Sequence, residues 1–313
     1  MNRAITVLLF ALVSLTWGTT WMAMSIASTT IPPMFATGIR FTFAAPFLIL
    51  TAIWCRTPLL FPIGLRRYQA FVALFYFAIP FSLIIFGEQY VNSGLAALIF
   101  SAMPAMVLLF SVFMLNEQLR TGKIAGLLLS MTALAAILVL ELDWSQSNRV
   151  AGIGALLCAA LLHAYVYTRS KKRCQSVPVL TFSALPSAGA GVLLLGIGWI
   201  FEHPAVEYFS LMSLASTAYL GLVAGVFGIL NYFALQQRTT AFRASLVFVV
   251  FPVIAIWVED ICTGKSLSGL SYVFLAQLIV GILLVVVPAK RASVFWITRK
   301  SKSATAIEER EKA

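Results

Sequence analysis

The chain has 313 residues, 61% of them hydrophobic and only 11% charged, with a formal net charge of +11. A composition this apolar, arranged in long stretches, excludes a soluble globular fold. The positive charges are scattered over separate short loops, which disfavours nucleic-acid binding and favours contact with lipid headgroups.

Ten apolar stretches follow one another along the chain, and each is predicted to span a membrane. About 20 helical residues, at about 1.5 Å each, cross a bilayer core of about 30 Å. Lipid offers the backbone no hydrogen bonds, so each span must be a helix. The predicted spans are 4–27, 34–54, 69–88, 93–115, 124–141, 150–169, 179–201, 211–236, 243–262 and 270–288. The predicted fold class is therefore an all-α membrane protein with ten transmembrane helices.

The distribution of Lys and Arg predicts which ends of the spans face the cytoplasm. With both termini on the cytoplasmic side, 19 of the 22 Lys and Arg residues lie there, as the positive-inside rule requires. The three exceptions are Arg40, which lies inside a span, Arg149 and Lys265. The first span is too long for the apolar region of a signal peptide, so we expect it to remain in the mature protein.

Five plus five spans suggest an internal duplication. A shift of 148 residues places Ala96, Leu98, Phe100 and Pro104 on Ala244, Leu246, Phe248 and Pro252. Because five is odd, the second half would start on the opposite face of the membrane, which makes the halves inverted repeats. We predict a first repeat over 1–143, a second over 144–288 and a basic cytoplasmic tail over 289–313. Two such halves can rock around a central site, so this organisation favours transport.

Three short motifs stand out in the first half of the chain. They are WGTTW at 17–21, PPM at 32–34 leading to IRF at 39–41 and AAP at 44–46, and NEQL at 116–119 followed by Gly126. These motifs resemble those of the EamA branch of the drug/metabolite transporter superfamily. The second half departs from the pattern, with Lys265 at the expected glutamate, Phe274 at the following glycine and Tyr165-Val166 in place of Trp-Gly. The resemblance, which covers essentially the whole chain, implies a multi-pass carrier of a bacterial inner membrane that exports amino acids or other small metabolites.

Arg40 is the leading candidate for substrate binding. It lies about 9 Å into the second span by helical rise, where an arginine costs roughly 2.5–3.5 kcal/mol on insertion scales. A guanidinium presents a fork of donors that suits a carboxylate. The alternative is an arginine that snorkels outward or pairs with an acid to lock two helices together. Thr37 is assigned to the same predicted substrate site.

Two tryptophans add a possible aromatic surface to that site. Trp17 and Trp21 are four residues apart and therefore lie on one face of the first span. This face could line a cavity and stack on a substrate, or it could serve helix packing or an interfacial belt. Tyr165, which coincides with Trp17 under the 148-residue shift, is included among the substrate-binding candidates.

Three titratable residues are candidates for proton coupling. His163 lies within the sixth span, where it either relays protons or is simply hydrogen-bonded between helices. Glu88 ends the third span and Glu259 comes late in the ninth. These acids either mark the lipid–water boundary or supply a partner for Arg40, and the sequence does not choose between them.

These features predict a secondary carrier that exports a small metabolite, such as an amino acid, by alternating access around a central cavity. The alternative function, an intramembrane protease or lipid-modifying transferase, needs converging catalytic groups such as HExxH or paired aspartates, which the sequence lacks. We therefore predict no catalytic residue, no metal and no cofactor. The expected partners are a small-molecule substrate and membrane lipids but no nucleic acid, and the oligomeric state is left open.

Overall fold

The computed structural model describes residues 3–115, 121–141, 147–239, 244, 246–264 and 266–286. Within these ranges the regular elements are all helical, which confirms the predicted all-α membrane fold class. The predicted basic tail over 289–313 and the motif at 116–119 lie outside the described residues.

Within the described residues, ten helices correspond to the ten predicted spans. They are α1 (Arg3–Ala27), α2 (Pro33–Trp54), α3 (Ile63–Gly87), α4 (Ser93–Leu115), α5 (Thr121–Glu141), α6 (Ser147–Arg173), α7 (Val179–Glu202), α8 (Leu211–Arg238), α9 (Val247–Thr263) and α10 (Gly269–Val286). All except α9 are long and apolar enough to cross a membrane, and the described part of α9 has 17 residues, about 26 Å. The clearest difference from prediction is the start of α3, which hydropathy alone misses because its first turns contain Arg66 and Arg67.

Two helices widen in the middle of their spans. α3 is π-helical over Ala73–Ala78 and α8 over Leu220–Phe227. The 148-residue shift maps the first π-helical segment onto 221–226, which lies inside the second. Such segments are rare and are frequently found at functional sites. α4 is interrupted at Ala102, close to Pro104, which has no N–H to continue the helical ladder.

The helices pack in a pattern that relates the two halves of the chain. α2 lies along α7, and α5 lies along α10. α1 packs on α9 and α8, and in the same way α6 packs on α4 and α3. The contact of α2 with α8 is likewise matched by a contact of α7 with α3. Exchanging each helix of one half with its counterpart in the other therefore maps these particular contacts onto one another.

The two ends of the bundle differ in charge. One end holds all the Asp and Glu residues of the described ranges, including Glu88, Glu202 and Glu259, and is called the acidic end below. The described Lys and Arg residues lie at the opposite, basic end, with the exceptions of Arg40 and Arg149. The side chains therefore give the bundle a polarity along the axis of its helices.

Carboxylates at the acidic end cap the starts of neighbouring helices. Glu202, the last residue of α7, accepts hydrogen bonds from the backbone N–H groups of Met34 (2.9 Å) and Phe35 (2.8 Å) at the start of α2. Glu141, the last residue of α5, accepts one from Ser268 N (2.9 Å) just before α10. The first N–H groups of a helix lack partners within the helix and carry partial positive charge, so these carboxylates stabilise the helix starts.

Close packing at glycine holds α5 and α10 together and makes their contact sensitive to a single methyl group. A Cβ atom added to Gly281 would lie 2.5 Å from the backbone N of Ser130. We expect Gly281→Ala to lower the free energy of unfolding by about 1–3 kcal/mol, because the contacting atom is backbone and cannot rotate away. Thermal unfolding in detergent would measure this loss. Gly154→Ala is the control, because a Cβ atom there meets nothing within 4 Å; equal midpoints for the two variants would contradict the prediction.

Candidate functional site

Arg40 lies in the interior of the bundle, in the half nearer the acidic end. Its side chain is only 8% exposed. Its Nη1 donates a long hydrogen bond to the Sδ atom of Met24 at 3.5 Å, and its guanidinium lies 4.6 Å from the centre of the Phe81 ring and 5.7 Å from that of Phe41. The described direct contacts of this cation are therefore a sulfur atom and two aromatic faces. Such faces attract a desolvated cation by about 2 kcal/mol but leave most of its N–H donors open to a ligand.

A continuous line of rings passes through the centre beside Arg40. In order, the rings are Phe41 of α2, Phe81 of α3, His163 of α6, Phe100 of α4, Trp21 of α1 and Phe251 of α9. Successive ring centres lie between 5.1 and 6.2 Å apart. This central ring cluster brings six helices to one place, four from the first half of the chain and two from the second. Its faces offer a large apolar surface next to the buried cation.

His163 is a member of this cluster and is buried. Its Nδ1 atom lies 3.2 Å from the carbonyl oxygen of Ala159, one turn earlier on the same helix. The imidazole meets Tyr76, Phe81 and Phe100 edge to face. This geometry matches the hydrogen-bonded helix-interface role considered for His163, and its role as a proton relay stays a prediction.

Glu88 and Glu259 both lie inside the bundle, at 5% and 6% exposure. Glu259 Oε2 accepts a hydrogen bond from the backbone N–H of Ser93 at 3.0 Å, at the start of α4. Both carboxylate oxygens of Glu88 are buried and have no hydrogen-bond partner among the described residues. Glu88 interacts electrostatically with Glu259 and with Arg40. These three side chains, called the charged triad below, bring together the two acids that were considered as partners of Arg40.

The remaining predicted substrate-binding residues occupy different levels of the bundle. Trp17 is half-buried on the basic-end side of the central ring cluster, and its ring centre lies 4.9 Å from that of Tyr232. Tyr165 is also half-buried, and its hydroxyl accepts a hydrogen bond from Arg169 Nη1 at 2.7 Å. Thr37 is buried, and its hydroxyl donates to the carbonyl of Pro33 at 2.8 Å within α2. Its proton is therefore not available to a ligand in this structure.

Some residues around Arg40 were not among the sequence candidates. Met24 lies three residues after Trp21, so the helical spacing that singled out Trp17 and Trp21 also predicts that Met24 shares their face. Phe81 carries no comparable signal, because the chain has 24 Phe residues and most lie in apolar spans. Only the packing of α3 against α2 and α6 shows that the Phe81 ring lies beneath the guanidinium.

Membrane-length helices that enclose a buried cation and a cluster of rings from both halves of the chain are the architecture of a polytopic membrane transporter. Comparison with known proteins identifies which kind. The model of the EamA-like transporter family matches residues 4–139 and 150–287. The chain therefore belongs to the EamA-like transporter family, as the sequence motifs suggested.

Individual relatives agree with this assignment. Protein PagO of Salmonella typhimurium is 53% identical over 287 residues, which cover 92% of this chain and 94% of that protein. A protein of the same species named "Probable amino-acid metabolite efflux pump" is 24% identical over 269 residues, covering 83% and 87% of the two chains. One protein crystal structure matches with a TM-score of 0.65 and 19% identity over 91% of this chain and 96% of its own, which supports the fold alone.

Proposed function

We propose that the protein is a secondary carrier that exports a small carboxylate-bearing metabolite such as an amino acid. The observation that carries this proposal is the position of Arg40, buried at the centre with sulfur and aromatic faces around it. A buried guanidinium without a hydrogen-bonded carboxylate is expensive to maintain. A substrate carboxylate can accept two parallel hydrogen bonds from the Arg40 guanidinium in a site from which water is excluded.

The central ring cluster supports an organic substrate over an inorganic anion. The rings of Trp21 and Phe251 are close to parallel, at 10°, with their centres 6.2 Å apart. Apolar groups of a metabolite gain free energy by contact with such surfaces. The name of the metabolite efflux relative favours an amino acid. In this proposal Trp21 forms part of the wall of the site, Thr37 shapes it beside Arg40, and Trp17 and Tyr165 line the route from the basic end.

Alternating access between two inverted halves is the proposed transport mechanism. α1 begins at the basic end whereas α6 begins at the acidic end, so the counterpart helices of the two halves run in opposite directions. The matched helix contacts and the matched π-helical segments support the repeats over 1–143 and 144–288. Rocking of one half against the other would expose Arg40 to each side in turn.

The proposed location is a bacterial inner membrane, with both termini in the cytoplasm. The basic end would then face the cytoplasm, as the positive-inside rule favours. The acidic end, with Glu202 and Glu259, would face the periplasm. A substrate that leaves the cell would therefore enter past Trp17 and Tyr165 and leave past the charged triad.

Counterflow in proteoliposomes tests the function directly. The purified protein is placed in liposomes that are loaded with a mixture of the 20 L-amino acids, and uptake of each isotopically labelled amino acid from outside is measured. A carrier is expected to exchange at least one of them faster than protein-free liposomes do, without any added energy source. Absence of exchange for the whole panel would overturn the proposed amino-acid export.

A further inference from the structure

Among the described residues, Glu88 is the one acid whose carboxylate oxygens are both buried without a hydrogen-bond partner. It follows the last residue of α3, and its carboxyl group is buried with neither oxygen hydrogen-bonded among the described residues. An ionised carboxylate in such a place is strongly disfavoured, whereas the neutral acid is tolerated. The described surroundings thus suit a Glu88 that holds a proton while no donor is hydrogen-bonded to its carboxyl group.

The charged groups around Glu88 come from each helix that packs near it. α2 contributes Arg40 and α9 contributes Glu259, both within electrostatic reach of Glu88. α6 contributes His163, which interacts electrostatically with Arg40. Glu259 is held in place by the N–H of Ser93, so it keeps a hydrogen bond that Glu88 lacks. Of the two acids, Glu88 is therefore the one with both oxygens free to accept a new donor.

A carboxyl group without a hydrogen-bond partner, within electrostatic reach of a guanidinium that has no hydrogen-bonded acid among the described residues, has a simple chemical match. An α-amino acid carries a carboxylate and an ammonium group joined by one carbon atom. We propose that Glu88 exchanges its proton for the ammonium group of the substrate while Arg40 binds the substrate carboxylate. This inference rests on the proposed function and adds to it the coupling ion and the zwitterionic substrate class.

The exchange balances in charge and atoms. When the ammonium group approaches, the Glu88 O–H bond gives up its proton to water, and the resulting carboxylate accepts N–H hydrogen bonds from the ammonium. When the substrate leaves on the other side, Glu88 takes up a proton from that side. Each cycle moves one zwitterion outward and one proton inward, so a proton gradient across the membrane drives export.

Proteoliposomes under an imposed pH gradient test the coupling. The amino acid that shows the fastest counterflow is supplied outside, the lumen is made one pH unit more acidic, and valinomycin with equal K⁺ holds the voltage at zero. One proton per substrate permits up to about tenfold accumulation. We expect wild-type protein to approach this value and Glu88→Gln to show none. Glu207→Gln, which changes an exposed acid at the same end, should accumulate as the wild type does.

A second measurement uses the wild-type protein, so its result does not depend on whether the Glu88→Gln variant folds. Adding the same amino acid to wild-type protein in weakly buffered detergent should release about one proton per bound molecule, and its analogue without the amino group should release none. Absence of proton release, or accumulation by Glu88→Gln equal to wild type, would overturn the inference. Counterflow by the wild type without accumulation would overturn the inference alone, whereas loss of counterflow would also overturn the proposed function.

Discussion

Replacing Arg40 by alanine is expected to raise the half-saturating substrate concentration in counterflow by at least about 30-fold. Loss of one partner from a buried, hydrogen-bonded charge pair costs about 2–5 kcal/mol, and each 1.4 kcal/mol is a factor of ten. Arg40→Lys keeps the charge but loses the planar fork, so we expect an intermediate loss. The fold should tolerate both changes, because no buried acid loses a hydrogen bond when the guanidinium is removed.

Arg149→Ala is the matched control for this prediction. Arg149 is the other described arginine away from the basic end, but it lies in the first turns of α6 and is half-exposed. Its removal should leave the half-saturating concentration within about twofold of the wild type, as expected for an isolated surface charge. If a correctly folded Arg40→Ala protein transported with unchanged concentration dependence, the centre of the bundle would not be the substrate site.

Cysteine labelling is expected to give an all-or-none result for the orientation. Cys262 is exposed near the acidic end and Cys55 is exposed at the basic end, just after α2. In variants that keep only one of them and carry serine at the other cysteines, a membrane-impermeant maleimide added to intact cells should label Cys262 alone. The physical reason is that the basic end is retained on the cytoplasmic side, where the reagent cannot reach Cys55.

The labelling includes its own control. After the cells are permeabilised, Cys55 should react as fast as Cys262, because both thiols are exposed. Labelling of Cys55 and not Cys262 in intact cells would place the basic end outside and reverse the proposed route of the substrate. Counterflow by Arg40 variants would be unaffected by that outcome, so the two predictions test separate claims.

Much of the fold was predictable because a bilayer imposes one simple requirement on the sequence. Each span must be apolar for about 20 residues, so the ten helices could be read from hydropathy alone. That Arg40 does not face lipid was also predictable, since a charge deep in a span must face protein or water. The start of α3 was missed because Arg66 and Arg67 interrupt the apolar pattern at a place where the helix already exists.

The arrangement of the candidate site was not predictable in the same way. In an apolar span the sequence does not distinguish a phenylalanine that faces lipid from one that faces the centre, so Phe81 could not be selected. Glu88 and Glu259 looked alike in sequence, yet Glu259 is hydrogen-bonded to Ser93 while Glu88 has no hydrogen-bond partner in the described structure. That difference depends on where α4 begins relative to α9, which is a property of helix packing rather than of either span.

The carboxylate caps of Glu202 and Glu141 restrict which parts of the bundle can move separately. Each carboxylate links the C-terminus of one helix to the N-terminus of its antiparallel neighbour. We therefore expect α2 with α7, and α5 with α10, to move as capped pairs. The π-helical segments of α3 and α8 lie at mid-span, outside these two capped pairs. In the proposed alternating-access mechanism, a passage at the acidic end would therefore open by bending of α3 and α8 against the two capped pairs.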